Sequence, residues 1–207
     1  KLKISTGEKT LVHQNSATER ITDWFFDWDD HLRLAARSNQ DGSNDLMSVN
    51  KDSFKTIYST GPFESASPYA FDKSNRRIYL TSNKGKNLNL SQLILLDPLT
   101  SKTEFIEKDP QNRVDIGDIL FSEKNKDIIF TSYEDSRLRR YWKDKSFEND
   151  YKLITKELPN SEISFISSTI DENSWLLNAY SDTDPGSTYL FDRKTKKLVF
   201  QYKPRPN

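Results

Sequence analysis

One motif occurs four times in the sequence, and this repetition is the strongest constraint on the fold. Each copy consists of an apolar residue, a polar turn, a short apolar run and a serine. The four copies are Phe26–Ser38, Phe71–Ser82, Phe121–Ser132 and Ile170–Ser181. Their closing serines are 44, 50 and 49 residues apart. Self-similarity at this period is typical of β-propeller blades.

Two further strand-like segments follow each copy in the same order. The first set is Asp45–Val49, Gln92–Leu96, Leu138–Trp142 and Ser187–Phe191. The second set is Lys55–Tyr58, Glu104–Glu107, Tyr151–Ile154 and Leu198–Gln201. With a short strand before each polar turn, the pattern predicts four strands per repeat and no helix. The sequence therefore predicts an all-β fold, a partial β-propeller of about four four-stranded blades, with a β-sandwich as the alternative.

The repeat predicts domain boundaries as well. Residues 1–202 form a propeller fragment, in which 1–15 end a preceding blade and 16–60, 61–110, 111–160 and 161–202 are blades. An extra hairpin is expected from Leu2–Ile4 and Thr10–Val12. This hairpin pairs elsewhere in the chain or in a second copy, or the chain belongs to a larger propeller, which we favour. Because unpaired strand edges are adhesive, an edge-mediated homodimer is a further expectation.

The composition excludes several classes of function. Thirty-one basic and 31 acidic residues balance, which argues against a nucleic-acid-binding or membrane-binding protein. Because cysteine is absent, there is no disulfide, thiolate metal site or cysteine nucleophile. Twenty-five aromatic residues in a chain that is 34% hydrophobic predict an aromatic core under a charged surface. The compartment, cytoplasmic or periplasmic, stays undecided.

No catalytic, cofactor-binding or metal-binding residue is predicted, and substrate-binding residues stay unassigned. The chain lacks the G-x-S-x-G motif of a nucleophile elbow and the glycine-rich phosphate loops. Its two histidines, His13 and His31, are expected in solvated loops. The acidic cluster Asp27, Asp29 and Asp30 fits a glycosidase pair or a structural turn, and we favour the turn. Calcium binding is disfavoured at Asp41–Asp45 and Asp182–Gly186, which lack EF-hand spacing.

Two further groups of residues have a specific expectation. Arg137–Trp142 is basic and aromatic, which allows two interpretations. The segment binds an anion through its arginines, or it forms a strand whose arginines pair with Glu134 and Asp135. We favour the second of these. Trp24, Trp28 and Trp175 are expected to pack within or between blades.

The stretch Ser181–Leu198 resembles the last propeller blade of the prolyl oligopeptidase family, in its acylaminoacyl-peptidase-like branch. Asp23–Asp29 and Leu32–Asp45 also resemble blades of that family. In the family a proline-containing linker leads from this blade to the catalytic α/β-hydrolase domain, and residues 203–207 resemble the start of that linker.

The resemblance implies a serine peptidase, a hydrolase, whose catalytic residues all lie outside this chain. The propeller would then act without catalysis by gating the access of short peptides to the active site. Its partners would be the α/β-hydrolase domain of the same parent chain and short peptides. The alternative is a stand-alone propeller that serves as an interaction or scaffold module.

Overall fold

The computed structural model describes residues 2–50, 53–86 and 88–204. Lys1 of the expected hairpin and residues 205–207 of the expected linker lie outside the described residues. The chain is divided into two compact units, Lys1–Ile116 and Gly117–Asn207. The described residues are nearly all in strands or loops, and none of their helices is long and apolar enough to cross a membrane.

The first unit contains two four-stranded antiparallel sheets whose strands pair in chain order. One sheet is β3 (Ile21–Phe26), β4 (Leu32–Ser38), β5 (Asn44–Asn50) and β6 (Ser53–Thr60). The other is β7 (Ala66–Phe71), β8 (Ile78–Ser82), β9 (Gln92–Leu96) and β10 (Thr103–Glu107). Both sheets contribute to one core, made of Leu34, Leu46, Ile57, Phe71, Ile78, Leu80, Ile94 and Leu96.

A short hairpin precedes these sheets. It consists of β1 (Leu2–Lys3) and β2 (Glu8–Lys9). The expected second strand, Thr10–Val12, is therefore wrong by two residues, because Gly7 in the left-handed region (φ 72°) turns the chain early. Residues 10–20 instead run as a loop.

Two more antiparallel sheets follow. The first has three strands, β11 (Ile116–Phe121), β12 (Ile128–Glu134) and β13 (Leu138–Trp142). The second has four strands, β14 (Glu162–Ser168), β15 (Ser174–Tyr180), β16 (Ser187–Asp192) and β17 (Lys197–Tyr202).

The core of the second unit is rich in aromatic residues. Trp175 is 1% exposed, and its ring lies 4.7 Å from that of Phe147 and 5.3 Å from that of Phe165.

A helix takes the place of one expected strand. The predicted strand Tyr151–Ile154 is wrong, because these residues lie inside α1 (Lys145–Glu157). Asp144 caps the helix by accepting the N–H groups of Ser146 and Phe147. The helix buries one face through Phe147, Asp150 and Ile154, whose spacing of three and four residues is helical. The expectation that the chain has no helix is wrong here. The sequence indicates α1 only weakly, because its buried face consists of three residues over three turns.

A buried carboxylate on α1 forms ion pairs with the turn between β16 and β17. Asp150, 1% exposed, lies 2.8 Å from Nε of Arg193 and 2.5 Å from Nζ of Lys196. Arg193 also lies over the rings of Phe147 and Trp175, at 4.0 and 4.6 Å from their centroids. The aromatic core and the charge cluster therefore stabilise the same contact.

The five-residue and six-residue turns that follow the first strands of the four sheets have the same construction. The N–H groups of Asp27, Asp72, Ser122 and Thr169 donate to the carbonyls of His31, Arg77, Asp127 and Ser174. The equivalent of Asp72 in the fourth repeat is thus Thr169. The sequence repeats Phe71–Ser82 and Ile170–Ser181 instead align Asp72 with Asp171, which is two residues too late, because Ile170 resembles the apolar residue that ends a strand. Ile170 is in fact 85% exposed in the turn.

We expect Trp175→Ala to lower the free energy of unfolding by about 3–5 kcal/mol, because it removes a fully buried ring from a packed aromatic core. Urea unfolding followed by circular dichroism measures this change. The control is Ile170→Ala, which removes an exposed side chain from the same unit. Equal, small effects of both substitutions would contradict the packing described for Trp175.

The turn aspartates make stability dependent on pH. Burial raises the pKa of Asp72, but hydrogen bonds from Ser74, Arg76 and Arg77 outweigh it and hold that pKa below its ordinary value. A lowered folded pKa contributes stability above the unfolded pKa, and that stability is lost as the pH falls through the folded value.

We therefore expect Asp72→Asn to cost about 1 kcal/mol at pH 7, since it removes a charge-assisted bond to half-exposed Arg77. The difference from the unchanged chain should shrink as the pH falls from about 5, roughly one unit above the ordinary pKa, through the lowered pKa of the folded state, because the carboxyl protonates over this range. Urea unfolding at a series of pH values checks this, with exposed Asp182→Asn as control. A difference that does not change with pH would contradict it.

Candidate functional site

The end of the last sheet at which the chain leaves β17 collects several polar side chains. In that sheet Glu162 pairs with Tyr180, Ala179 with Ser187 and Thr188 with Tyr202. The start of β14 and the ends of β15 and β17 therefore lie together. We call this the exit end of the sheet.

A cavity of about 320 Å³ lies at the exit end. Its volume falls in the range of small-ligand sites. Its polar lining comes from two sheets of the second unit and consists of Asp118, Ser132, Arg140, Ser164 and Tyr180. Leu120, Phe130, Leu138 and Phe165 supply apolar walls. We call it the Arg140 cavity, because Arg140 is the cation in its lining.

Arg140 is held rigidly by residues far away in the sequence. Its side chain is only 9% exposed and donates to the Tyr151 hydroxyl and to the Ile163 carbonyl, both at 2.7 Å. Glu162 lies 3.7 Å away and is half exposed. The guanidinium also lies over the rings of Phe130 and Tyr151, at 5.7 and 5.0 Å. In the described chain its buried Nε–H has no acceptor.

The electrostatics of the cavity follow from this arrangement. Burial raises the pKa of Tyr151 above its ordinary value, although the positive charge of Arg140 acts in the opposite direction. Tyr151 therefore stays a neutral hydroxyl that accepts a hydrogen bond from Arg140. The cavity thus combines one fixed N–H donor and several hydroxyls with the Asp118 carboxylate and apolar walls, a set of groups suited to a polar ligand that presents a carbonyl oxygen to Arg140.

Of the two alternatives for Arg137–Trp142, the structural one is confirmed in part, and anion binding stays a prediction. Arg139 pairs with Asp135 at 3.3 Å, as the structural alternative predicted. Arg140 does not pair with Glu134 or Asp135 but with groups on α1 and β14. Sequence reasoning missed this cavity, because Tyr151 was expected in a strand and Ile163 contributes only its backbone.

Each of the two histidines lies beside a carboxylate. His13 lies 3.3 Å from Glu19, and its ring lies 4.9 Å from that of Trp24. Its side chain is 18% exposed, so the expectation of a solvated loop histidine is wrong for His13. His31 is 73% exposed and lies 3.5 Å from Asp27. Among the described residues, both histidines thus lie beside carboxylates and not beside a serine hydroxyl, which a Ser-His-Asp triad requires.

The contacts of the acidic cluster Asp27, Asp29 and Asp30 are those of a structural turn. One oxygen of Asp27 accepts the N–H groups of Asp29 and His31, and the other lies 2.8 Å from Arg33. Burial raises the pKa of Asp27, but these hydrogen bonds outweigh it and lower that pKa. Ligand atoms of Asp27, Asp29 and His31 lie within 4.8 Å of one another. Arg33 already compensates the buried carboxylate, which makes this a poor cation site.

The two loops that resemble calcium loops are also closed by their own bonds. Asp41 accepts from Ser43, and Asp184 accepts the Gly186 N–H and pairs with Lys203 at 3.1 Å. Gly186 has φ 110°, and a side chain there would lie 2.7 Å from Asn178. Glycine is therefore required at the end of this loop.

The sequence is similar to two curated peptidases over nearly its whole length. It is 25% identical over 213 residues to dipeptidyl peptidase family member 6 of Caenorhabditis elegans, covering 97% of this chain and 28% of that protein. It is 26% identical over 212 residues to dipeptidyl aminopeptidase BIII of Pseudoxanthomonas mexicana, covering 100% of this chain and 29% of that protein. The chain thus spans less than a third of either relative. No family model matches the sequence.

Solved structures show the same fold. A prolyl endopeptidase matches 95% of this chain and 29% of its own with a TM-score of 0.56 at 13% identity. TolB from Acinetobacter baumannii matches 91% of this chain and 45% of its own with a TM-score of 0.54 at 12% identity. At this identity the structures establish the fold alone, which confirms the β-propeller class. Together with the sequence relatives, they confirm the resemblance to the prolyl oligopeptidase family and make this chain a peptidase-associated propeller domain.

Proposed function

We propose that this propeller is the non-catalytic gate of a serine peptidase, and that it admits short peptides to an α/β-hydrolase active site outside this chain. The similarity to two dipeptidyl peptidases over nearly the whole chain carries the proposal. The histidine contacts support it, because in the described residues each histidine lies beside a carboxylate, Glu19 for His13 and Asp27 for His31.

One similar structure suggests how a propeller can act on a neighbouring domain. In the prolyl endopeptidases, inter-domain dynamics have a role in catalysis and specificity. A propeller that moves against a catalytic domain can regulate the entry of substrate without touching the reacting atoms. We extend that role to this chain as part of the proposal.

The Arg140 cavity gives the gate a means of holding a peptide. It lies at the exit end of the last sheet, on the side of β14 and β15. The unused Nε–H of Arg140 would donate to a carbonyl or carboxylate oxygen of the peptide. The apolar walls would receive a neighbouring side chain of that peptide.

The first experiment locates the nucleophile. The full reading frame that contains this chain is expressed and treated with a serine-directed fluorophosphonate, and the labelled peptide is identified by mass spectrometry. We expect stoichiometric label outside residues 1–207, and no label when residues 1–207 are expressed alone. Label on a serine of this chain would contradict the proposal. A full reading frame that takes up no label would favour the stand-alone interaction module.

The second experiment tests the Arg140 cavity in the full protein. Arg140→Lys keeps the charge but removes the Nε–H donor, so we expect kcat/KM for short peptides to fall by about tenfold, mainly through KM. Steady-state kinetics measure this, and thermal unfolding of the same samples separates it from a loss of folding.

Exposed Arg137→Met is the matched control and should change neither constant. Cleavage of a long unfolded protein is compared with that of a short peptide in the same samples. Equal rates on both substrates would contradict a gate, whereas an unchanged KM in Arg140→Lys would contradict only the role of the cavity.

A further inference from the structure

A cavity of about 270 Å³ lies in the first unit and is lined by residues of both of its four-stranded sheets. Its polar lining consists of Arg33, Ser48, Asn50 and Lys55, all from the β3–β6 sheet. The other sheet supplies apolar walls through Phe71 at the end of β7 and Leu99 in the turn from β9 to β10. We call it the Lys55 cavity. The proposed gate does not use it.

One row of side chains crosses the β3–β6 sheet at this cavity. Leu34 pairs with Ser48, and Ser48 pairs with Lys55, so the three side chains lie on one face of the sheet. Leu34 belongs to the core shared with the β7–β10 sheet, so this face is directed toward that sheet. In the last sheet, the row that starts at the third residue of β15 is apolar and consists of Leu176, Leu190 and Val199. Strand pairing therefore does not require a serine and a lysine in such a row.

The charge of the cavity is positive. Among the described residues that line it, two are cations and none is a carboxylate. Asp27 lies 2.8 Å from Arg33 and balances its charge. Lys55 is exposed and forms no ion pair with the described residues. Asp97 lies in the adjoining turn, where its carboxylate accepts the Leu99 N–H at 2.8 Å. The excess positive charge is therefore that of Lys55.

Arg33 is held in place at the wall of the cavity. Its Nη1 donates to Asp27 at 2.8 Å and to the Asn75 carbonyl at 3.3 Å. Its guanidinium carbon lies 5.2 Å from the centroid of the Phe71 ring. Within the described chain these hydrogen bonds all use Nη1, which leaves Nη2 for another acceptor. A guanidinium anchored through one nitrogen presents the others in a set direction, which suits a carboxylate or phosphate oxygen.

We infer that the Lys55 cavity binds a carboxylate or phosphate group carried on an apolar body the size of one aromatic ring. Nη2 of Arg33 and the ammonium of Lys55 donate to the anionic oxygens, and the apolar body packs against Phe71 and Leu99. Leu99 is 87% exposed, so its side chain has room to cover such a body. The cavity volume is close to the lower end of the range for small-ligand sites, which limits the ligand to a single ring.

The test uses residues 1–207 labelled with ¹⁵N and titrated with phenylacetate at low ionic strength. The Trp28 indole N–H donates to the Phe71 carbonyl at 2.9 Å, so it reports on the wall of the cavity. We expect saturable NMR shifts at this group and at the Leu99 amide, and none at the Trp175 indole N–H in the other unit.

Phenylacetamide has the same ring without the charge. It should bind at least about tenfold more weakly, since charge-assisted hydrogen bonds to the two cations are lost. This comparison needs no variant and therefore does not depend on how a substitution affects folding. Lys55→Gln should weaken the binding of phenylacetate about threefold to tenfold. Lys108→Gln is the matched control, an exposed lysine beyond the end of β10, and should leave the affinity within about twofold.

Phenyl phosphate, titrated in the same way, distinguishes the two anionic groups. Tighter binding than that of phenylacetate assigns a phosphate monoester, and weaker binding assigns a carboxylate. Equal binding of phenylacetate and phenylacetamide would overturn the inference. An unchanged affinity in Lys55→Gln, or no saturable shift with either anion, would overturn it as well.

Discussion

A four-stranded sheet cannot bury both of its faces by itself, and the rest of this structure depends on that constraint. In the first unit, residues of the β3–β6 sheet and the β7–β10 sheet share one apolar core. In the second unit, one core joins residues of β12, α1, β14, β15 and β16. The burial of apolar area, at roughly 25 cal/mol per Å², requires a neighbouring layer for each sheet. The helix α1 meets that requirement where a fourth strand is missing.

The repeated turns connect these layers with directed bonds. In the first unit, Trp28 donates its indole N–H to the Phe71 carbonyl at 2.9 Å, and Asn75 bonds to Asp29 across the same contact. In the second unit, the corresponding contact is the long bond from Lys124 to Glu172. Turns of the same construction are therefore joined by several short hydrogen bonds in the first unit. In the second unit they are joined by one long hydrogen bond, and a cavity lies beside it.

Periodicity was sufficient to predict much of the fold. The sequence placed β9 and β13 at their observed bounds, because alternating or continuous apolar runs between turn residues are a local signal. It missed α1, whose apolar stripe is short, and it misaligned the fourth turn at an exposed Ile170. The Arg140 cavity could not be predicted, because Arg140, Tyr151 and Ile163 meet only after α1 has packed.

The two ends of the last sheet differ in the groups that they hold fixed. At the exit end, Arg140 is held by a tyrosine hydroxyl and a carbonyl and retains one unused donor, with the Asp118 carboxylate in the same cavity lining. At the other end, Glu172 accepts one long bond from the Lys124 N–H. A guanidinium that is fixed by packing and hydrogen bonds has a set direction, and in low-dielectric surroundings its free N–H acts more strongly than it would in water. The exit end can therefore select a ligand by the direction of its acceptor as well as by its size.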